Sequence, residues 1–207
     1  MIVACGLPMA YAETFGFGCI SNNNAGNCAI GEAQLFVEVT AVGATQVQFR
    51  FTNLGPLASS ITDIYFDDGT LLGISSVVNY VGVSFSQGGS PPDLPSGNTL
   101  TPVFETTAGF LADSDSPAAI NGVNPSEQVD VIFNLLAGKT FADTIAAITG
   151  PLGVGDDLRI GIHVQAFGTG GSETFVNTVA VPEPTSVILL GTALLGVCHL
   201  LRKRFAA

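Results

Sequence analysis

Strict alternation of apolar and polar residues governs the middle of this chain. In the run 33–42, Leu35, Val37 and Val39 share one parity while Gln34, Glu38 and Thr40 share the other. In 45–52, Val47, Phe49 and Phe51 alternate with Gln46, Gln48 and Arg50. A period of two puts each set on one face of a strand, so both runs are half-buried strands, and Gly43-Ala44 between them predicts a hairpin. The run 128–136 repeats the pattern with Val129, Val131, Phe133 and Leu135 inward. Further strands are predicted at 61–66, at 71–85 as two short pieces broken near Asn79 or Gly82, at 158–167 and at 174–179. A single helix is predicted at 140–149: Thr140 and Asp143 stand at capping-box spacing, Phe141, Ile145 and Ile148 share a face, and Gly150-Pro151 stops it. Several short antiparallel strands with one short helix point to a mainly β fold, an antiparallel β-sandwich of jelly-roll or immunoglobulin-like type.

Between these strands the chain changes character. Asp67-Asp68-Gly69 is a turn signal. From 86 to 125 Gly, Pro, Ser and Asp dominate, with a short edge strand expected at 103–110. So long an irregular segment marks the expected recognition or mobile loop.

Charge narrows the partners. Between Glu13 and Val181 there are 16 acidic residues against three basic ones (Arg50, Lys139, Arg159), which leaves that region at −13. Such a surface repels nucleic acid and anionic membrane, so neither is an expected partner of the domain. Charged residues at only 11% and 25 glycines suit an extracellular β domain better than a helical cytosolic one.

Residues 1–12 read as a truncated signal peptide: 2–9 is mostly apolar, Ala10-Tyr11-Ala12 is a small-x-small cleavage site, and the charged n-region is missing. Residues 13–180 then form the secreted domain. Of four cysteines, Cys5 falls in the leader and Cys198 near the C-terminus, leaving Cys19 and Cys28 in an oxidising compartment. A disulfide across the turn-rich residues between them would contribute about 2–3 kcal/mol in the chain-entropy model. Metal binding is the rival reading, but two thiols without a nearby histidine make a poor zinc site.

The last segment, 181–207, has three parts in fixed order. Val181-Pro182-Glu183-Pro184 precedes an uncharged apolar run to Leu201, and Arg202-Lys203-Arg204 follows it. At about 1.5 Å per residue the run falls slightly short of the ~30 Å hydrocarbon core and spans it with help from its flanks. Pro182 and Pro184 fix the helix start, and the basic cluster acts as a cytoplasmic stop-transfer signal. A buried core helix would not be apolar on all faces and then end in three cations. A glycolipid-anchor signal would end in the apolar tail itself. The arrangement resembles the PEP-CTERM sorting domain of Gram-negative bacteria. That resemblance implies a sorting motif at Pro182, Glu183 and Pro184, recognised by an exosortase-type membrane transpeptidase. It also implies membrane attachment through the C-terminal helix before processing, and a link to exopolysaccharide.

Catalytic signatures are sparse. His163 is the one histidine of the domain, placed at the parity opposite Ile162 and Val164 and therefore expected to face solvent or an edge. No G-x-S-x-G, H-E-x-x-H or Walker pattern occurs. Trp is absent and most Phe residues fall on inward parity, so they read as core rather than as a sugar platform. Calcium is the one small-ligand candidate: Asp113 and Asp115, like Asp67-Asp68, place hard oxygens in loops, without completing a known calcium motif. The sequence thus predicts a non-enzymatic exported protein without an obligatory cofactor. It would be anchored transiently in the inner membrane, processed, and deployed at the cell surface or in the extracellular matrix. The alternative is a polysaccharide- or protein-binding module, calcium-dependent in one form, that uses 86–125.

Overall fold

The computed structural model describes residues 12–67, 69–153 and 157–180. In chain order these form β1 (Ala12–Cys19), α1 (Ala25–Gln34), β2 (Leu35–Val42), β3 (Gln46–Asn53), β4 (Ser60–Asp67), β5 (Leu71–Asn79) and β6 (Phe85–Gln87). They continue with β7 (Leu111–Ser114), α2 (Ala118–Asn121), β8 (Gln128–Leu135), α3 (Phe141–Thr149), β9 (Arg159–Gln165) and β10 (Glu173–Ala180). All ten strands join one antiparallel sheet in the order β5-β8-β3-β2-β1-β10-β9-β4-β7-β6. The mainly β, antiparallel expectation is met. Two separate sheets are not: the sheet rolls on itself into a nearly closed barrel. Its edges meet at the Asn79 side chain, whose Nδ2 donates to Phe85 O at 3.0 Å and whose Oδ1 accepts from Phe85 N at 2.8 Å.

Rolling is what buries the alternating apolar sets. Val37, Val39, Val47, Phe49, Phe51, Val129, Val131 and Phe133 are fully buried, as their parity requires. Across the interior they meet β4, which lies far from β3 in the sheet: Phe66 packs edge-on against Phe49 at 5.0 Å and Phe133 at 4.7 Å. Edge-to-face pairs of this kind add about 0.5–1.5 kcal/mol each beyond the area they bury.

The β2–β3 hairpin forms with Val42 opposite Gln46. Helix α3 forms with a reciprocal capping box, in which Thr140 Oγ1 accepts from Asp143 N at 3.3 Å and Asp143 Oδ2 accepts from Thr140 N at 2.7 Å. The Thr140 hydroxyl and amide hold the Asp143 carboxyl below its usual range. Its buried face is Thr144, Ala147 and Ile148, with Phe141 and Ile145 half-buried beside it.

Several expectations need correction. Among the described residues two α-helices and a 3₁₀ turn at Gly97–Thr99 join the one predicted. The four-residue α2 lies within 86–125, and α1 covers 25–34 and takes Ala33 and Gln34 from the predicted strand. Asn24 caps α1 by accepting from Gly26 N at 2.9 Å, a local Asx signal sitting inside the presumed turn. The strand expected at 103–110 falls instead at β7, which is no edge, since β4 and β6 pair with it on either side. The segment 88–110 is a cover: Leu94 and Phe104 are buried with Tyr65 and Leu111 on the outer face of the sheet. Among the described residues no helix is long and apolar enough to cross a membrane. The apolar run before Leu201, the residues 1–11 of the presumed leader, Asp68 and Cys198 lie outside the described residues.

Candidate functional site

In an antiparallel sheet alternate strand ends share a rim. Ala12 at the start of β1 pairs with Thr40 near the end of β2, and Ala180 at the end of β10 pairs with Phe15. The described chain therefore enters and leaves the domain at one rim, beside the hairpin residues 43–45 and helix α3. At the opposite pole lie α1, the loop 54–59, α2 and the β9–β10 connection.

Strand β10, which runs from that pole to the exit rim, is fastened hardest at its start. Glu173, 1% exposed, accepts from Ser21 Oγ at 2.5 Å, Asn23 N at 2.9 Å and Asn24 N at 2.7 Å. A buried carboxylate needs such donors, and here they come from the turn between Cys19 and α1. Cys19 and Cys28 are joined by a disulfide that closes this turn, as the cysteine spacing predicts. Gly31 lets α1 lie directly on β10, because a Cβ there would overlap the Phe175 ring.

Towards the exit rim β10 parts from β9. Their pairing runs only to Val176 opposite Gly161. The Asn177 side chain then replaces the ladder, its Oδ1 accepting from Ile160 N at 2.7 Å. Beyond it β10 pairs with β1 alone, which leaves a groove of about 420 Å³ between β10 and the end of α3. Ile148, Leu152, Val176 and Thr178 line it together with Arg159. Arg159 is buried: it pairs with Asp67, donates to Pro102 O at 2.7 Å and Val103 O at 2.6 Å, and lies 5.2 Å from the Phe104 ring centroid. Its Nε is buried with no acceptor.

A second site lies on the covered outer face. Asp63 and Asp113 are register partners on β4 and β7, and His163 opposes Asp63 on β9. His163 Nδ1 stands 3.1 Å from Asp63 Oδ2, which also accepts from Thr62 Oγ1 at 2.8 Å. Asp113 Oδ2 accepts from Ser90 N at 3.2 Å. Burial, and then the neighbouring Asp63, push the Asp113 carboxyl above its usual range. Burial likewise raises the Tyr65 phenol beside them. Asp63, Asp113 and His163 open into a cleft of about 330 Å³ lined also by Ser116 and Gln165. His163 thus points outward as its parity predicts, but the outer face is covered here and its side chain is only 15% exposed.

The two aspartates expected as calcium ligands belong to different bonding sets. Asp113 faces Asp63, whereas Asp115 accepts from Ser84 Oγ at 2.6 Å and Ser86 Oγ at 2.9 Å, hydroxyls that hold its carboxyl below the usual range. Cys19, Cys28 and Glu173 bring three ligand-type atoms within 4.8 Å of one another. With the sulfurs bonded to each other and the carboxylate saturated by its donors, that set is structural. Pro182, Glu183, Pro184, Arg202, Lys203 and Arg204 lie outside the described residues. Glu173, Asn177 and the Asp63–Asp113 pair carry no signal in the sequence, since each acts through partners far away along the chain.

A family described as the PEP-CTERM protein-sorting motif matches residues 180–204, starting on the last residue of β10. No curated protein and no solved structure matches the chain. Such a motif implies recognition by exosortase-type processing machinery, together with export and membrane-associated sorting to the cell surface.

Proposed function

We propose, from the premise that residues 180–204 carry a PEP-CTERM protein-sorting motif, that this chain is a non-enzymatic exported protein delivered by its tail. The domain is held at the inner membrane by the apolar run, processed at Pro182-Glu183-Pro184, and deployed at the cell surface or in the extracellular matrix in association with exopolysaccharide. One observation supports the reading: the matched motif starts on Ala180, the last residue of β10, so nearly all of it follows the described strands in the sequence. A disulfide at the domain's far pole suits an oxidising compartment. Replacing Pro182, Glu183 and Pro184 together by alanine should leave the full-length chain in the inner-membrane fraction of cells that hold the transpeptidase. Release of that variant at the normal rate would sink the reading.

The cleft beside Asp63, Asp113 and His163 favours a second reading, a binding module, because Ser90, Asp113 and Ser116 of 86–125 line it. Two carboxylates and an imidazole with no Lys or Arg among the cleft residues suit a neutral ligand rich in hydroxyl donors, such as a polysaccharide end. Calcium bridging at Asp113 belongs to this reading. Calorimetry with neutral oligosaccharides, with and without calcium, should then give heats that Asp113→Asn abolishes. No heat under either condition removes the reading.

A further inference from the structure

The rim through which the chain leaves the domain is also where β10 and β9 separate, and the spacing there is tight. Ala180 is still paired with Phe15. Pro182 follows two residues later in the sequence, and two residues of chain reach no further than roughly 7 Å. Any protein that grips Pro182-Glu183-Pro184 must therefore come against this rim. We propose that the groove between β10 and the end of α3 is a docking surface for the membrane-embedded enzyme that takes the motif, which adds to the short motif a contact made by the folded domain. The inference rests on the sorting reading above and deepens it.

Three features of the groove specify what enters it. Its wall is apolar, formed by Ile148, Val176 and Leu152, of which Leu152 is 48% exposed. Arg159 also lines the groove, its guanidinium already engaged with Asp67 and the Pro102 and Val103 carbonyls. The occupant is thus an apolar side chain of an enzyme loop. Position supplies the third feature: the groove is lined by Val176 and Thr178 of the same strand on whose last residue the matched motif begins. Only Val181 separates the last residue of β10 from Pro182, so the stretch of sequence between strand and motif is short.

The test uses the full chain in cells that hold the transpeptidase, with the fraction still carrying its tail read by intact mass at fixed times. Leu152→Asp and Thr149→Trp, both at exposed positions, should slow processing about five-fold or more, the loss expected when one modest contact is removed from an interface. Leu54→Asp, at the opposite pole and 64% exposed, should process normally. Unchanged melting temperatures and an intact Cys19–Cys28 link exclude misfolding as the cause. A ten-residue Gly-Ser insertion between Ala180 and Val181 should slow the parent chain and erase the difference between parent and Leu152→Asp. If both groove variants are processed at the parental rate while Glu183→Ala is blocked, the docking surface is overturned and the motif reading stands. If Glu183→Ala is itself processed normally, the motif reading falls and the docking surface with it.

Discussion

The outer faces of the two halves of the sheet differ more than their inner faces do. On β2 and β3 every outward residue is half-buried or exposed, and burial alternates as cleanly as the sequence does. On β4 seven successive residues are buried, and β9 is nearly as dry. The difference comes from 88–110, which lays Leu94 and Phe104 over Tyr65 and over Gly161, where a Cβ would sit 2.6 Å from Leu94 Cδ2. Singly covered strands announce their face by parity, whereas doubly covered ones hide it. Polar residues forced under such a cover must find partners, and Asp63, Asp113, Thr62 and His163 do so by facing one another. The cleft is therefore a product of the cover.

Because both halves share the interior, the largest loss should come from Phe66→Ala, which removes the ring touching Phe49, Phe51 and Phe133: about 3–5 kcal/mol in urea unfolding. Next comes the cover itself. Leu94→Ala should cost about 2–3 kcal/mol, and a loss below 1 kcal/mol would mean the segment is not part of the fold's stability.

A smaller effect with a distinctive pH signature is expected at Asp113. Its folded-state pKa is raised, so the native chain holds that proton more tightly than the unfolded chain, and stability falls as pH rises from the ordinary carboxylate range through the raised value. Asp113→Asn should raise the melting temperature at pH 7 by about 2–4 °C, a gain that fades below the ordinary carboxylate range. A gain equal at all pH values would contradict the account of a carboxyl raised by burial and then by Asp63. Smallest of all, Gln48→Lys on the open face should change stability by less than about 0.5 kcal/mol.

Legibility followed the same division. The inward sets of β2, β3 and β8, the hairpin at 43–45 and the capping box of α3 were readable because each depends on residues close in sequence. Helix α1 was not, since its Asn24 cap lies among asparagines that also read as turn formers, and its docking depends on Phe175. Strand β1 is weakly marked because only Phe15, Phe17 and Cys19 alternate in it, with glycines rather than polar residues at positions 16 and 18. The single rolled sheet depends on which strands pair, above all β1 with β10 across nearly the whole chain, a fact no local pattern contains. Of the sites, the Cys19–Cys28 bridge was legible from compartment and count, and the tail from the order of its three parts. The Asp63–Asp113–His163 cluster was invisible because two of its members look like ordinary outward residues.

The account rests on a folded acidic domain with a removable address at its end. Intact-mass measurement of the protein recovered from the surface of cells with the transpeptidase tests this most directly. The expected species ends near Pro182-Glu183-Pro184, lacks Arg202-Lys203-Arg204, and keeps Cys19 linked to Cys28. A surface-exposed chain that still carries those three basic residues would contradict it.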